Sequence, residues 1–232
     1  MNIRHTSPRN RNFKDEQSLW NPLFLQLNFL IKAARDYFTN LPDDRELIIY
    51  DLGCGQKPYQ VFVSKKHKYI GVDIDKANVN ADIYADITNL SIEDGVADIV
   101  TSFCVIEHTK DPQKVLCEKY RILKEGGELF MFVPLYWEEH EQPYDYFRFT
   151  RYGIEHLMRN SGFQNIEVKE LNSNPSILGM QLVRYFNRRF FRILIPIINY
   201  YFYKKELKVL KNVKKFNVQL SNIMTFIVKA RK

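Results

Sequence analysis

The chain has 232 residues, of which 45% are hydrophobic and 14% aromatic, a composition typical of a globular protein with one sizeable core. Its formal net charge of +7 is uneven, because residues 172–221 hold four arginines and six lysines against Glu206 alone and so carry +9, which leaves −2 for the rest. This distribution argues against a protein that coats nucleic acid with its whole surface, and three isolated cysteines argue against a disulfide framework.

Residues 1–40 are expected to form a polar tail followed by one covering helix. The first 18 or so residues are polar and basic and contain no apolar segment of the kind found in secretory signals. From Pro22 to Phe38, apolar residues recur with helical spacing. No uninterrupted apolar run approaches the roughly 20 residues that span a bilayer. A cytoplasmic protein is therefore expected, and peripheral contact with the inner face of the membrane is left open.

Residues 41–232 are expected to form one α/β domain. Seven strands are predicted, at residues 47–50, 69–73, 82–87, 97–103, 129–134, 164–171 and 223–230. Helices are predicted at 112–124 and 151–160, each followed by glycine. Apolar strands that alternate with helices predict a Rossmann-like, mostly parallel seven-stranded sheet with helices on both faces. In such sheets, ligands bind outside the carboxyl ends of the strands.

The segment from Leu47 to Tyr59 is the first candidate binding element. Its predicted strand leads into Asp51, and Gly53 and Gly55 follow at once in a segment that we call the glycine turn. Glycine lets the backbone approach a ligand closely, since no Cβ stands in the way. A nicotinamide-type fingerprint is excluded, because Pro58 occupies the position of its third glycine.

Acidic residues at the next strand ends extend this candidate site. Asp73 ends the second strand about 20 residues after the turn, where a carboxylate can accept both hydroxyls of a ribose. Asp86 and Ile87 end the third strand, where a carboxylate and a backbone N–H suit the amino group and a ring nitrogen of adenine. Phe103 ends the fourth strand and is a candidate to pack on the ligand. A plain turn, loop acids and a core phenylalanine are the structural alternatives.

Together these elements resemble the class I S-adenosylmethionine-dependent methyltransferases, in the small-molecule, type 11-like branch. The matching motifs cover about residues 45–171 plus the last strand: Asp51-Leu-Gly53-Cys-Gly55, Gly71-Val-Asp73, Asp86 ahead of Asp98, Val100 to His108, and Leu123-Lys-Glu-Gly126-Gly127. The resemblance implies S-adenosylmethionine as cofactor. It implies that the glycine turn lies under the methionine part, that Asp73 binds the ribose, and that Asp86 and Ile87 bind the adenine. Lys57 stands where the family often has a third glycine.

The segment from Pro134 to Thr150 is the candidate acceptor site. It follows the fifth strand at the same sheet edge and is dense in histidine, acid, arginine and aromatic residues. His140 is the candidate general base, because its ordinary pKa lies near neutrality. Asp145 is the candidate group that orients the acceptor hydroxyl or shares the base role.

Four further residues are candidates for substrate binding: His108, Tyr144, Tyr146 and Arg148. Arg148 suits a carboxylate or phosphate, and the tyrosines suit a sugar or a ring. Each has a structural alternative, such as an ion pair between Arg148 and Asp145 that only fixes the loop. No metal site is predicted, since no Cys/His ligand spacing is present.

Residues 172–221 are expected to be a basic insertion before the last strand. Helical spacing predicts one apolar face, formed by Leu178, Leu182, Tyr185, Phe186 and Phe190, with arginines on another face. A basic amphipathic helix can lie in a membrane interface, so residues 177–215 are the candidate membrane contact. A cap on the protein's own sheet or a homodimer face is the alternative, and nucleic acid is the least favoured partner.

The sequence therefore predicts a methyltransferase that acts on a hydroxyl oxygen of a small molecule, a glycan or a lipid-linked intermediate. Methyl transfer requires mainly that donor and acceptor are aligned, with a base only where the acceptor must lose a proton. Methylation of carbon on a lipid-like ring is one alternative. A non-catalytic module of the same fold, which binds a partner through its basic arm, is another.

Overall fold

A seven-stranded sheet forms the centre of the computed structural model, which describes residues 13–77, 79–187, 192–216 and 220–232. The strands are β1 Ile48–Leu52, β2 Lys68–Asp73, β3 Ile83–Tyr84, β4 Ala97–Phe103, β5 Leu123–Pro134, β6 Gln164–Ser173 and β7 Ile223–Arg231. Their order is β3-β2-β1-β4-β5-β7-β6. Strands β1 to β5 run parallel, and β7 is antiparallel to both of its neighbours.

Six α-helices cover the sheet within the described ranges: α1 Phe13–Glu16, α2 Phe24–Thr39, α3 Pro112–Ile122, α4 Arg151–Asn160, α5 Asn174–Phe186 and α6 Ile195–Phe216. Helices α3 and α4 pack on one face, where Val115 and Ile154 join the core. Helix α2 packs on the other face with Ile31 and Phe38, and Leu207 of α6 adds to it. The predicted Rossmann-like fold is thereby confirmed.

Local sequence signals explain where α3 and α4 begin. The Asp111 side chain accepts a hydrogen bond from the Lys114 amide, and Pro112 occupies the first turn. The Thr150 hydroxyl accepts from the Gly153 amide at 3.1 Å in the same way. The predicted bounds of α4 are confirmed.

Several predicted boundaries are wrong, and among them β1 extends to Leu52 rather than to 50 and β5 begins at Leu123 rather than at 129. The third strand is Ile83–Tyr84 rather than 82–87. The carboxylates on either side of it accept hydrogen bonds from backbone amides, Asp82 from Gly71 and Asp86 from Thr88. Helix α3 ends at Ile122 rather than at 124, because buried Leu123 already pairs with Ala97 of β4.

Among its described residues, the predicted insertion 172–221 contains two α-helices, and β6 extends to Ser173 within it. We call α5 and α6 the α5–α6 pair. Glu206 of α6 is fully buried and accepts hydrogen bonds from the hydroxyls of Ser173 and Ser176 and from the Ser176 amide. These bonds fix the start of α5 to α6, so one side of the pair is a cap on the protein's own sheet.

The predicted apolar face of this segment is not the face that packs. Leu178, Leu182 and Tyr185 are exposed, whereas α5 buries Ile177, Met180 and Val183. The buried side includes Gly179, where an added Cβ would lie 2.4 Å from Leu25 Cδ1, so close approach to α2 selects that side. Phe190 lies outside the described residues. In the ranges that the structure describes, no helix has the length and apolar character to cross a bilayer.

Candidate functional site

A cavity of about 1060 Å³ opens at the carboxyl ends of β1, β2 and β4, where the strand order reverses between β1 and β4. Its volume suits a nucleoside-sized ligand together with a small acceptor. It is lined by most of the residues singled out from the sequence: Asp51, Gly53, Gly55, Asp73, Asp86, Ile87, Phe103, His108, His140, Tyr144 and Tyr146. Asp145 and Arg148 are not among the lining residues and lie within the loop that forms the cavity wall.

The glycine turn has a backbone that other residues would strain. Gly53 has φ +80° and Gly55 has φ +50°. The amides of Gly53 and Cys54 both donate to the Val72 carbonyl, which holds the turn against β2. A Cβ added to Gly53 would lie 2.5 Å from Val105 Cγ1. Glycine is therefore required at 53 both by conformation and by space.

Backbone amides fix the two strand-end acids. One Asp73 oxygen accepts from the Gly55 amide at 2.8 Å, and the other accepts from the Asp75 amide at 2.9 Å. Asp86 accepts from the amide and the hydroxyl of Thr88. Both carboxylates line the cavity with their orientation already set, so a ligand that binds them need not order them.

Lys57 has a structural explanation. Its φ of +52° is the left-handed conformation in which glycine is common, which explains a family preference for glycine there. The Lys57 ammonium forms an ion pair with Asp82, and Asp82 also accepts from the Gly71 amide. The lysine thus joins the turn to the start of β3.

Asp51 lines the cavity but is almost completely buried. Its oxygens accept from the hydroxyls of Tyr69 at 2.5 Å and Thr101 at 3.1 Å. Burial raises the pKa of Asp51 to about 6, although these hydrogen bonds and the charge of Lys119 act in the opposite direction.

Lys119 is not among the residues predicted from the sequence, and it lies fully buried on α3. Burial lowers the pKa of Lys119 to about 7, although the negative charges of Glu107 and Asp51 act to raise it. Burial also raises the pKa of Glu107 to about 8. A signal for Lys119 was present, because it shares helical spacing with the buried residues Val115 and Ile122.

Phe103 serves both the cavity and the core. Its ring lines the cavity and also packs in an aromatic cluster, 4.6 Å from the Tyr59 ring and 4.9 Å from the Phe132 ring. Tyr59 lines the cavity as well.

Arg148 forms its hydrogen bonds within residues 134–150, which we call the acceptor loop. Its guanidinium donates to both oxygens of Asp145, at 2.6 and 2.7 Å, and also to the carbonyls of Trp137, Glu138 and Phe147. Burial alone would raise the pKa of Asp145, but hydrogen bonds from Arg148 and from the His140 amide lower it to about 2. Asp145 is therefore ionised at neutral pH, and this pair fixes the loop.

Two histidines meet in this wall of the cavity. The ring centroids of His108 and His140 are 4.6 Å apart, and the two ring planes are nearly perpendicular. His108 Nδ1 lies 2.9 Å from the Tyr144 carbonyl, and His140 Nδ1 lies 3.1 Å from the Glu138 carbonyl. Burial and the neighbouring His108 lower the pKa of His140, so this side chain is neutral at pH 7, as a general base must be.

Two helices that sequence reasoning did not connect to the site also take part. Leu23, which precedes α2, and the α2 residues Gln26, Leu27 and Leu30 line the cavity. Helix α5 touches the acceptor loop, because Gln181 donates to the Tyr136 hydroxyl at 2.7 Å and the Arg184 guanidinium lies 5.0 Å from the Trp137 ring centroid. Helical periodicity shows which face of a helix is apolar, but it does not show whether that face lines a cavity.

Comparison with known proteins gives a consistent result. Residues 50–131 match the protein-family model described as a methyltransferase domain, of type 11. A curated arsenite methyltransferase from Aquipseudomonas alcaligenes is 47% identical over 45 residues, which are 19% of this chain and 13% of that protein. Other curated relatives are matched over 26% and 37% of their length, so the chain aligns with well under two thirds of each.

Solved structures match nearly the whole chain. A methyltransferase dependent on S-adenosylmethionine from Archaeoglobus fulgidus has a TM-score of 0.59 at 15% identity, over 96% of this chain and 100% of that one. Phosphoethanolamine N-methyltransferase 2 of Haemonchus contortus, solved with S-adenosyl-L-methionine, has a TM-score of 0.55 at 16% identity, over 96% of this chain and 60% of that one. At these identities the structural matches show a shared fold.

Proposed function

We propose that this chain, whose residues 50–131 match a methyltransferase domain of type 11, is an S-adenosylmethionine-dependent methyltransferase that transfers a methyl group to a hydroxyl oxygen of a small molecule, a glycan or a lipid-linked intermediate. One observation carries the proposal. A single cavity is lined on one side by the glycine turn, Asp73 and Asp86 and on the other by the loop that holds His140. Donor and acceptor would meet in that space, which is what methyl transfer requires.

The cofactor side fits S-adenosylmethionine. All of these residues line the cavity, where Asp73 would bind the ribose hydroxyls, Asp86 and the Ile87 amide would bind the adenine, and the Gly53–Gly55 backbone would lie under the methionine part. When bound, S-adenosylmethionine supplies an electrophilic methyl group. The ionised Asp51 would add a favourable charge near the cationic donor.

On the acceptor side, His140 would accept the proton of the acceptor hydroxyl as its oxygen forms the new bond to the methyl carbon and the carbon–sulfur bond breaks. Asp145 would act through His140, because its oxygen accepts from the His140 amide at 2.9 Å. Tyr144 and Tyr146, both exposed at the cavity rim, would wall the acceptor together with His108. The contacts of Arg148 favour a role in fixing the loop over a direct clamp on substrate.

Calorimetry with S-adenosylhomocysteine tests the cofactor half of this proposal. We expect binding by the wild-type chain and a loss of at least about tenfold in affinity in Asp73→Ala, because a carboxylate that accepts two hydroxyls contributes more than about 1.4 kcal/mol. Asp44→Ala, an exposed acid on the loop before β1, is the matched control. Absence of binding by the wild type would favour the non-catalytic module.

The acceptor half is tested with methyl-labelled S-adenosylmethionine and a panel of hydroxyl compounds, sugars and polyprenyl-linked sugars. Magnetic resonance of the labelled product distinguishes a methyl ether from a methyl group on carbon. An ether would support the proposal, and a carbon-bound methyl would replace it with the lipid-ring alternative. Loss of turnover in His140→Ala with retained S-adenosylhomocysteine binding is expected.

The outer side of the α5–α6 pair favours a membrane surface as an additional partner. It exposes large apolar side chains, namely Leu178, Leu182, Tyr185, Ile197, Tyr200 and Tyr201. Lysines follow on α6, with Lys204 and Lys205 exposed beside the tyrosines. Apolar side chains flanked by lysines match an anionic lipid interface. Because α5 also contacts the acceptor loop, such contact would bring a lipid-linked acceptor to the cavity.

Vesicle sedimentation tests this partner. We expect the chain to sediment with vesicles that contain phosphatidylglycerol, less so at high salt, and a substantial loss of binding in a Leu178→Ser, Leu182→Ser double variant. Val61→Ser, at an exposed apolar residue outside the α5–α6 pair, is the control. Concentration-dependent dimerisation that the double variant abolishes, without vesicle binding, would identify the face as a homodimer surface instead.

A further inference from the structure

Three side chains at the acceptor end of the cavity are grouped as metal ligands are. One potential ligand atom from each of Glu107, His108 and His140 lies within 4.8 Å of the others. We propose that these residues bind a first-row divalent cation beside the site of methyl transfer. The binding of the cation is independent of the proposed function, whereas its role in the reaction depends on it.

Glu107 provides the strongest reason. Its side chain is fully buried, and neither carboxylate oxygen has a hydrogen-bond partner among the residues that the structure describes. Such a group is rare, because a buried carboxyl group without a hydrogen bond is costly. Its carbonyl accepts from the amides of Tyr146 and Phe147, which fixes the residue against the acceptor loop. A bound cation would give these oxygens the direct polar contact that they lack.

The two histidines are oriented as metal ligands commonly are. His108 Nδ1 lies 2.9 Å from the Tyr144 carbonyl, which assigns the proton to Nδ1 and leaves the Nε2 lone pair free. That Nε2 atom is 3.9 Å from Glu107 Oε1. A ring N–H bonded to a carbonyl on one side and a ligand nitrogen on the other is the usual arrangement for histidine at a metal.

His140 follows the same pattern. Its Nδ1 has two acceptor oxygens nearby, the Glu138 carbonyl at 3.1 Å and Asp145 Oδ2 at 3.3 Å, both nearer than the Arg148 guanidinium at 3.4 Å. The proton is therefore assigned to Nδ1, and Nε2 is available. The Asp145–Arg148 pair would then act as the outer support of a ligand histidine.

The ligand set determines the class of cation. Two imidazole nitrogens and one carboxylate suit Zn²⁺, Fe²⁺ or Mn²⁺ better than Mg²⁺ or Ca²⁺, which prefer oxygen ligands alone. Bonds of about 2.0–2.2 Å would require small rotations that draw the three side chains together. Three protein ligands leave open positions, and the site adjoins the cavity, so an acceptor hydroxyl can occupy one of them.

The cation would change how the acceptor is activated. A divalent cation held by these residues would lower the pKa of an adjacent acceptor hydroxyl, so the proton of that hydroxyl would pass to water. The acceptor oxygen would then form its bond to the methyl carbon as the carbon–sulfur bond of the donor breaks. His140 would then act as a ligand and not as the base. The cation experiment therefore also decides between the two roles of His140.

Cobalt(II) titration of the chelator-treated full-length chain tests the proposal without a substrate. We expect one equivalent to bind with visible absorption bands typical of histidine ligation, and Zn²⁺ to displace it. Glu107→Gln and His140→Ala should each weaken cobalt binding by at least about 100-fold. His156→Ala, on α4 and bonded to Asn160 away from the cavity, should bind as the wild type does.

Circular dichroism and S-adenosylhomocysteine binding show whether each variant is folded. Absent absorption bands, or equal cobalt affinity in wild type, Glu107→Gln and His140→Ala, would overturn the proposal. Should Glu107→Gln fail to fold, His108→Ala and His140→Ala decide it. The two proposals also fail separately: a chain that binds S-adenosylhomocysteine but no cobalt loses only the metal site, and the reverse result removes only the cofactor assignment.

Discussion

The cofactor side of the cavity is made of strand ends and backbone, whereas the acceptor side is made of one loop held by an internal ion pair. On the cofactor side, Asp73 is fixed by two backbone amides and still lines the cavity. On the acceptor side, the Arg148 guanidinium donates to Asp145 and to carbonyls of the loop, and neither of the two residues lines the cavity.

This difference indicates what a substitution will change on each side. Residues fixed by backbone can be exposed to a ligand without loss of order, so their replacement should affect binding first. Charges that are paired within a loop hold the loop itself, so their replacement should affect stability first. The predictions below test this contrast, from the largest expected effect to the smallest.

Gly53→Ala should have the largest effect. The added Cβ would lie 2.5 Å from Val105 Cγ1 in a backbone with φ +80°. We expect S-adenosylhomocysteine affinity to fall at least about 100-fold and the chain to lose about 2–3 kcal/mol of stability. Calorimetry and urea unfolding measure the two effects.

Gly126→Ala is the matched control, because Gly126 has φ +75° but nothing within 4 Å of an added Cβ. It should lose only about 1 kcal/mol and leave the ligand affinity unchanged. Equal loss of affinity in both variants would contradict the role assigned to the glycine turn.

Arg148→Met should destabilise the chain without abolishing cofactor binding. It leaves the ionised Asp145, whose side chain is 4% exposed, without its main partner. Because Arg148 itself is partly exposed, we expect a loss of about 1–3 kcal/mol in the free energy of unfolding, less than for a fully buried pair. S-adenosylhomocysteine affinity should stay within about threefold.

A double-mutant cycle with Asp145→Asn measures the coupling between the two residues. Additive effects on unfolding would show that the pair does not hold the loop. A large loss of ligand affinity with unchanged stability would reverse the contrast between the two sides.

The pH dependence of S-adenosylmethionine binding should reveal Asp51. Burial raises its pKa to about 6, and the groups that act on it are Tyr69, Thr101, Lys119 and Asp73. A carboxyl group with this pKa is mainly neutral at pH 5 and mainly ionised at pH 7. Its attraction to the cationic donor should therefore increase between these pH values and raise the affinity by up to about tenfold. Asp51→Asn should flatten this part of the profile. An identical profile in the variant would assign the change to another group.

The same raised pKa has an opposite consequence for folding. The folded chain retains the Asp51 proton at a pH at which the unfolded chain has released it, so the stabilisation from this group is present below about pH 4 and declines as the pH rises through 6. Urea unfolding of the wild type and of Asp51→Asn across this range should differ in slope in that direction. The opposite sign would show that the carboxylate is stabilised as an anion.

Lys57 should have the smallest effect. Lys57→Gly removes the ion pair with Asp82 but relieves the left-handed backbone, so the two changes should nearly cancel. Lys57→Ala loses the ion pair without that relief and should be less stable than the glycine variant by about 1 kcal/mol. Thermal unfolding measures the difference. An alanine variant as stable as the glycine variant would show that the backbone is free to adjust.

The sequence by itself determined the fold class and the grouping of the cofactor side. Apolar runs marked the parallel strands, and parallel strands bring their carboxyl ends to one edge whatever packs around them. The glycine turn, Asp73 and Asp86 could therefore be placed in one cavity from local signals alone. Their roles as ligands of the cofactor remain predictions.

Only the tertiary structure decided the contacts between residues far apart in the chain. It paired Lys57 with Asp82, turned the Ile177 side of α5 inward against Leu25, and placed Lys119 and Glu107 out of contact with water. No local pattern fixes such contacts, because each depends on which of several possible faces finds a partner. The same holds for Arg148, whose chemistry suited a substrate and whose neighbours in space are the carbonyls of its own loop.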